Sequence, residues 1–237
     1  MARARRRLPT WVVAASLILA RSSAGWSSID TTLQNARFRP SQTYYLYVPE
    51  AYSALKPDRW PLLIAVHGRM ASGRGEFQLW KQYADREGFV LVAPNFIGKF
   101  NEFEGGSDRT LVKIVEEVSQ DYRIDRDRVL LSGFSWGAEF AYRFAMSYPS
   151  LVSAAALLNP GTLPAPERAQ PGRRPRFYIA VGGNEPSAAK AAGWAAALRQ
   201  AGYQVELVVA SGVGHSIPSR AIVDVLRLLR EMKEARI

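Results

Sequence analysis

Val129-Leu130-Leu131-Ser132-Gly133-Phe134-Ser135-Trp136-Gly137-Ala138-Glu139-Phe140 decides the fold of this chain. A short apolar strand runs into Gly-x-Ser-x-Gly and continues, with no spacer, into a helix. Phe140, Ala141, Phe144 and Ala145 fall on one stripe of that helix until Tyr148-Pro149 stops it. In the order strand, sharp turn, helix, this pentapeptide lifts a serine to the tip of a strained turn. Its two glycines stand where side chains would collide with the neighbouring strand and helix. Ser135 is therefore the candidate nucleophile, and the competing reading is a tight turn with an inert serine.

Outward from this stretch, short apolar runs alternate with helical spacings. Toward the N-terminus, Thr43 to Val48 is aromatic and β-branched and predicts a strand with one face in the core. Pro61 to Val66 and Phe89 to Ala93 are continuous apolar runs of the kind buried on both faces of a parallel sheet. Between them the spacing of Phe77, Trp80, Tyr83 and Ala84 predicts a helix from about Glu76 to Glu87, capped by Gly88. A long connection, Asn95 to Ser107, precedes a helix through Gln120 with Asp108 as its N-cap. Residues 25–42 read as a surface lead-in with one edge strand. Toward the C-terminus, strands are expected at Ser153 to Leu158, Phe177 to Val181 and Val205 to Val209. Helices are expected from about Ser187 to Ala201 and from Ser219 to Glu234. Alternation of this kind implies an α/β fold with a mostly parallel central sheet, helices on both faces and right-handed crossovers.

The N-terminus is a separate object. Four arginines among residues 3–7, an apolar run from Trp11 to Ala20 and small residues at Ser22, Ser23 and Ala24 spell a secretory signal peptide over residues 1–24. An uncleaved signal anchor is the alternative. Residues 25–237 are expected to form a single domain outside the cytoplasm, secreted or periplasmic. Without the leader, the 31 basic residues fall to 26 against 21 acidic, and the net charge drops from +10 to +5. A mildly basic balance of this size calls for no nucleic-acid partner. The chain has no cysteine, which excludes disulfides, thiolate metal sites and a cysteine nucleophile. No cofactor or metal is expected, and the oligomeric state is left open.

In such a sheet the site lies beyond the carboxyl ends of the strands. Ser135, Glu185 and His215 all fall just past strand ends. The chain has only two histidines. His215, after the last strand, fits the chain order nucleophile, acid, base and is the candidate general base. His67-Gly68 follows the first central strand, in the loop that supplies one oxyanion-hole donor. Those donors are read as the N–H of Arg69 or of Gly68, together with that of Trp136. The acid is read as Glu185 by position, beside the neutral Asn184; Asp224 is an outside candidate in the last helix. His67, Phe134, Trp136, Phe96, Phe100 and Phe103 are candidate pocket residues. The basic run Arg168, Arg173, Arg174 and Arg176 suggests either an anionic ester or a solvated face. The stretch between Ser135 and Glu185 leaves no room for a large lid domain.

From about Ser41 to Leu229 the chain resembles α/β-hydrolases of the secreted esterase type, which includes polyhydroxyalkanoate depolymerases, feruloyl esterases and the phospholipase/carboxylesterase group. The resemblance rests on Tyr45 to Pro49, Pro61 to Gly68, Ile124 to Val129, Gly133 to Gly137 and Gly214-His215. It implies Ser135 as nucleophile, His215 as base and an acid near Glu185, and hence a serine hydrolase that cleaves small or polymeric carboxylic esters. Relatives usually carry Asp in a Gly-x-x-Asp pattern where this chain has Gly182-Gly183-Asn184-Glu185. Two alternatives stand beside an esterase: a serine peptidase, and a ligand-binding protein of the same fold without catalysis.

Overall fold

The computed structural model describes residues 30–35, 43–55, 58–96, 106–169, 172 and 174–234. The proposed leader, Phe100, Phe103 and Arg173 lie outside them. In chain order the elements are β1 (Asp30–Asn35), β2 (Thr43–Tyr47), β3 (Trp60–Val66), α1 (Gly73–Glu87), β4 (Val90–Asn95), α2 (Asp108–Asp121), β5 (Ile124–Phe134), α3 (Trp136–Ser147), β6 (Ala154–Leu158), β7 (Arg176–Gly182), α4 (Ala188–Gln200), β8 (Val205–Ala210) and α5 (Ser219–Glu234). The strands form one sheet in the order β1-β2-β4-β3-β5-β6-β7-β8. Strand β2 is antiparallel to both of its neighbours, and from β4 to β8 every pairing is parallel. Among the described residues no helix is long and apolar enough to cross a membrane.

The apolar runs are continuous because each strand feeds two cores. Leu62, Ile64 and Val66 of β3, Leu131 of β5 and Ile179 of β7 face α2, α3 and α4, which contribute Leu111, Phe140, Phe144 and Leu198. Leu63 and Ala65 of β3, Leu130 of β5 and Tyr178 of β7 face the other way, toward Phe77 and Trp80 of α1 and Val225 and Leu229 of α5. Side chains of this size each stabilise by roughly 1.5–3 kcal/mol when fully buried, so both faces bind the sheet to its two helix layers. Strand β2 departs from the expected single buried face. Tyr44 and Leu46 join the first core, while Tyr47 joins the second beneath α1. Its aromatic alternation had made it read as half-solvated.

Two helix starts also differ from expectation. Helix α1 begins at Gly73 rather than near Glu76, because the glycine is what lets its first turn press on β4: a Cβ there would lie 2.5 Å from the Pro94 carbonyl oxygen. Asp108 is the first residue of α2 and not its cap. The N-cap is Ser107, which makes no capping bond, and Asp108 instead accepts a 2.6 Å hydrogen bond from the hydroxyl of Tyr148, the C-cap of α3.

Glu76, in the first turn of α1, is buried and accepts a 3.2 Å bond from Trp80 Nε1. Burial pushes its carboxyl up from 4.5 to about 7, against the lowering effect of the indole N–H. The folded chain therefore holds this proton where the unfolded chain has lost it. The stability tied to it is complete below about pH 4.5 and lost as pH rises through about 7, on the order of 3 kcal/mol. Glu76→Gln is expected to melt with the parent at pH 4.5 and distinctly above it at pH 8. An offset of equal size at both pH values in thermal melts would contradict the assignment.

Candidate active site

The parallel pairings bring the strand ends to one line. Val66 of β3 pairs with Gly133 of β5, Phe134 with Leu158 of β6, Leu158 with Ala180 of β7, and Gly182 with Ala210 of β8. His67, Ser135, Asn159, Gly183 and the loop carrying His215 all leave the sheet along this rim.

Ser135 occupies the turn between β5 and α3 with φ 55° and ψ −119°, a region that L-residues enter only under strain of about 1–3 kcal/mol. Both flanking glycines are required by contact. A Cβ at Gly133 would overlap the Gly137 carbonyl, and one at Gly137 would overlap the carbonyls of Val66 and His67. The turn is pinned to its neighbour by the Ser135 N–H, which donates to the Leu158 carbonyl at 2.8 Å.

The base and the acid arrive on two adjoining loops. His215 lies between β8 and α5, and its Nε2 is 2.9 Å from Ser135 Oγ. Its Nδ1 is 3.0 Å from Oε2 of Glu185, which follows β7. An ionised carboxylate only accepts, so Nδ1 carries the proton and Nε2 is left with the lone pair facing the serine hydroxyl. The two loops are stitched together by main chain: Gly183 N–H donates to Ala210 O at 2.7 Å and Asn184 N–H to Val213 O at 2.9 Å. Asn184 thus uses its backbone, and Glu185 alone of the acids weighed from sequence reaches the imidazole. Asp224 accepts instead from Tyr178 Oη at 3.0 Å and Arg220 Nε at 2.9 Å.

The remaining candidates surround this line. Gly68 runs alongside the nucleophile: a Cβ there would stand 3.4 Å from Ser135 Cβ and 3.1 Å from Phe134 Cδ1. Arg69 is exposed beside it, and Trp136 opens α3. His67 is buried and its Nδ1 donates to the Gly68 carbonyl at 2.8 Å. Burial pushes its imidazole below the ordinary histidine range, despite the raising effect of the Gly68 and Phe96 backbones. It therefore shapes the turn as a neutral ring. Phe134 packs on the base itself, its ring centroid 5.1 Å from that of His215. Phe96 and Trp136 both pack tilted against Phe140, with ring centroids 5.1 and 5.7 Å away. Arg174 and Arg176 of the basic stretch lie elsewhere, side by side. Arg176 is the first residue of β7, at the opposite end of the sheet, and pairs with Glu231 of α5 at 3.2 Å. Among the described residues no group of three His, Asp or Glu converges as a metal site would.

Residues absent from the sequence reading also converge here. Asn159 contacts the loops of both His215 and Gly182, and Glu139 of α3 accepts from the Thr162 N–H at 3.2 Å. Asn159 follows directly on β6, on the same rim as Ser135, and that position was the available signal.

The family described as Esterase PHB depolymerase matches residues 42–164 of the chain. The chain belongs to that family. The matched segment holds the elbow and Ser135, whereas Glu185 and His215 lie beyond it. Among curated relatives of this esterase family member, a bifunctional acetylxylan esterase/xylanase of Neocallimastix patriciarum is 36% identical over 108 residues, which is 44% of this chain and 15% of that protein. A probable feruloyl esterase C of Aspergillus flavus is 28% identical over 170 residues, 68% of this chain and 61% of the relative. The chain thus spans less than two thirds of either relative. An acetyl xylan esterase from Aspergillus awamori superimposes with a TM-score of 0.65 at 16% identity, covering 86% of this chain and 98% of the other. At that identity the likeness shows the fold, which is that of the α/β-hydrolases. Among the described residues no large lid domain accompanies it.

Proposed function

We propose that this chain is a serine esterase that cleaves carboxylic esters through an acyl-enzyme, with Ser135 as nucleophile, His215 as general base and Glu185 as the group that orients the imidazole. The observation that carries this reading is the unbroken pair of hydrogen bonds from Glu185 through His215 to Ser135, 3.0 and 2.9 Å long, ending at the strained tip of the elbow. A turn that merely connected β5 to α3 would have no need to hold a serine at positive φ against the ring of a histidine.

The chemistry follows from the proton positions. Ser135 Oγ adds to the ester carbonyl carbon while His215 Nε2 takes the hydroxyl proton. The imidazolium that forms is stabilised by the Glu185 carboxylate. The carbonyl oxygen becomes an oxyanion, for which the N–H of Trp136 and that of Arg69 or Gly68 are the proposed donors, each contributing roughly 3 kcal/mol to the transition state. Collapse expels the alcohol, which leaves with the proton from Nε2. Water then adds to the acyl-Ser135 carbonyl by the same route, and its proton passes through Nε2 back to Oγ.

The half-exposed His215 side chain supports an open site, which suits an ester carried on a bulky alcohol or polymer. The names of the relatives, acetylxylan and feruloyl esterase, support short or aromatic acyl groups, and Trp136, Phe96 and Phe134 supply aromatic surface nearby. We take residues 25–237 as one catalytic unit and residues 1–24 as the leader that carries it out of the cytoplasm. Incubation of the full chain with p-nitrophenyl acetate, acid quench and peptide mapping is expected to trap an acetyl group on the peptide holding Ser135. Absence of both the adduct and ester turnover would reject the function.

A further inference from the structure

Asn159 is 1% exposed and stands just beyond β6 with φ 49°, a left-handed conformation that asparagine tolerates better than most residues. Its side chain makes three bonds. Oδ1 accepts the Gly182 N–H at 2.6 Å, and Nδ2 donates to the carbonyls of Gly214 at 3.2 Å and Ser216 at 2.5 Å. The partners fix the orientation of the amide, since an N–H must meet an oxygen and a carbonyl a nitrogen.

Gly214 and Ser216 are the two residues on either side of His215. They are also joined to each other, because the Ser216 N–H donates to the Gly214 carbonyl at 2.8 Å across a three-residue turn with His215 at its apex. The amide of Asn159 therefore grips both ends of the turn that presents the imidazole. The loop it grips lies directly on the end of β7, where a Cβ at Gly182 would come within 2.5 Å of the Gly214 and Val213 carbonyls. One residue earlier, the Leu158 carbonyl accepts the Ser135 N–H at 2.8 Å, and the Asn159 N–H is itself fixed to the Ala180 carbonyl at 2.7 Å. A single dipeptide at the end of β6 thus holds the nucleophile by its backbone and the base by its side chain.

We propose that Asn159 is a positioning residue that sets the distance and angle between His215 Nε2 and Ser135 Oγ, by clamping the turn on which His215 is carried against the strand end that fixes Ser135. The proposal rests on the esterase reading of the site above. Few side chains could replace it. The job needs one acceptor and two donors in a short rigid plane. Aspartate has the shape but would aim a carboxylate at two carbonyl oxygens in a buried place, and glutamine is one carbon too long for the gap.

Two variants test this. Asn159→Gly keeps the left-handed backbone without strain and removes all three side-chain bonds; Asn159→Asp keeps the volume and the Gly182 bond but loses the donors. Both are compared with the parent by kcat and KM on p-nitrophenyl acetate, by the low-field proton resonance of His215 Nδ1–H, and by thermal melting. Loss of the clamp is expected to lower kcat about 100-fold with KM within about twofold, as for a misplacement on the order of 1 Å. The low-field resonance should broaden or vanish in both variants. Variants that melt lower yet keep kcat and the His215 resonance would overturn the proposal and leave Asn159 as a loop anchor only. The resonance is read whether or not the parent turns over ester, so failure of the esterase reading and failure of the clamp are seen separately.

Discussion

Ser135→Ala is expected to lower kcat on an activated ester by roughly 10⁶-fold while leaving KM and the melting temperature close to those of the parent. The size of the loss follows from the geometry. Without Oγ there is nothing 2.9 Å from His215 Nε2 to attack the carbonyl, and the imidazole can act only on water from a position arranged for a hydroxyl. The fold should be indifferent. Alanine keeps a Cβ in the same strained backbone, and the bonds that hold the turn are main-chain: Ser135 N–H to Leu158 O at 2.8 Å and Ala138 N–H to Ser135 O at 2.9 Å. Steady-state kinetics beside circular dichroism check both halves. A folded variant that retained more than about a hundredth of the parent kcat would show that Ser135 is not the nucleophile, because the background left after removal of a true one lies far lower.

Glu185→Gln should cost about 10⁴-fold in kcat with little change in KM. Glutamine has the volume of glutamate, so the imidazole stays in place. Its amide, however, can turn an N–H toward Nδ1, which draws the ring into the tautomer with its proton on Nε2 and removes the lone pair that must accept from Ser135. The same change deletes the negative charge beside the imidazolium. The prediction is specific because no other acid weighed for the role is free to substitute. Burial tends to raise the Asp224 carboxyl, but the hydrogen bonds from Arg220 and Tyr178 and the charges of Arg220 and Arg227 hold it below its ordinary range, committed to α5 and β7. Two further aspartates are also engaged, Asp108 by the Tyr148 hydroxyl and Asp85 by that of Tyr47 at 2.5 Å. A loss of less than about tenfold, measured as kcat on the same ester, would remove Glu185 from the catalytic line.

The parts of this molecule that were legible in the sequence are those written in local periodicity. Leu62 to Val66 and Val129 to Leu131 are apolar without interruption because both sheet faces are covered, and the strands β3 and β5 lie where those runs do. The elbow was equally readable, since Gly133 and Gly137 are forced by backbone contacts that no other residue fits. Glu185 and His215 could be placed at the rim by chain order, but their meeting at 3.0 Å depends on how two loops cross, which no local pattern encodes. Asn159 was lost for the same reason. Its partners are Gly182, Gly214 and Ser216, distant in the chain, and Asn-Pro-Gly is also the composition of an ordinary turn. The basic stretch before β7 invited a substrate role until the strand direction put Arg176 at the amino end of the sheet. Strand β2 misled for a different cause, because α1 reaches far enough along the sheet to bury Tyr47 on the face that alternation assigned to solvent.

The most direct test of the central claim is covalent. The full chain and its Ser135→Ala variant are each treated with a fluorophosphonate, and the intact masses and labelled peptides are compared. An activated serine should take up one equivalent at Ser135, and the variant should take up none. A folded parent that stays unlabelled, or labels equally well with alanine at position 135, would contradict the account and leave the chain a member of its family without the chemistry proposed for it.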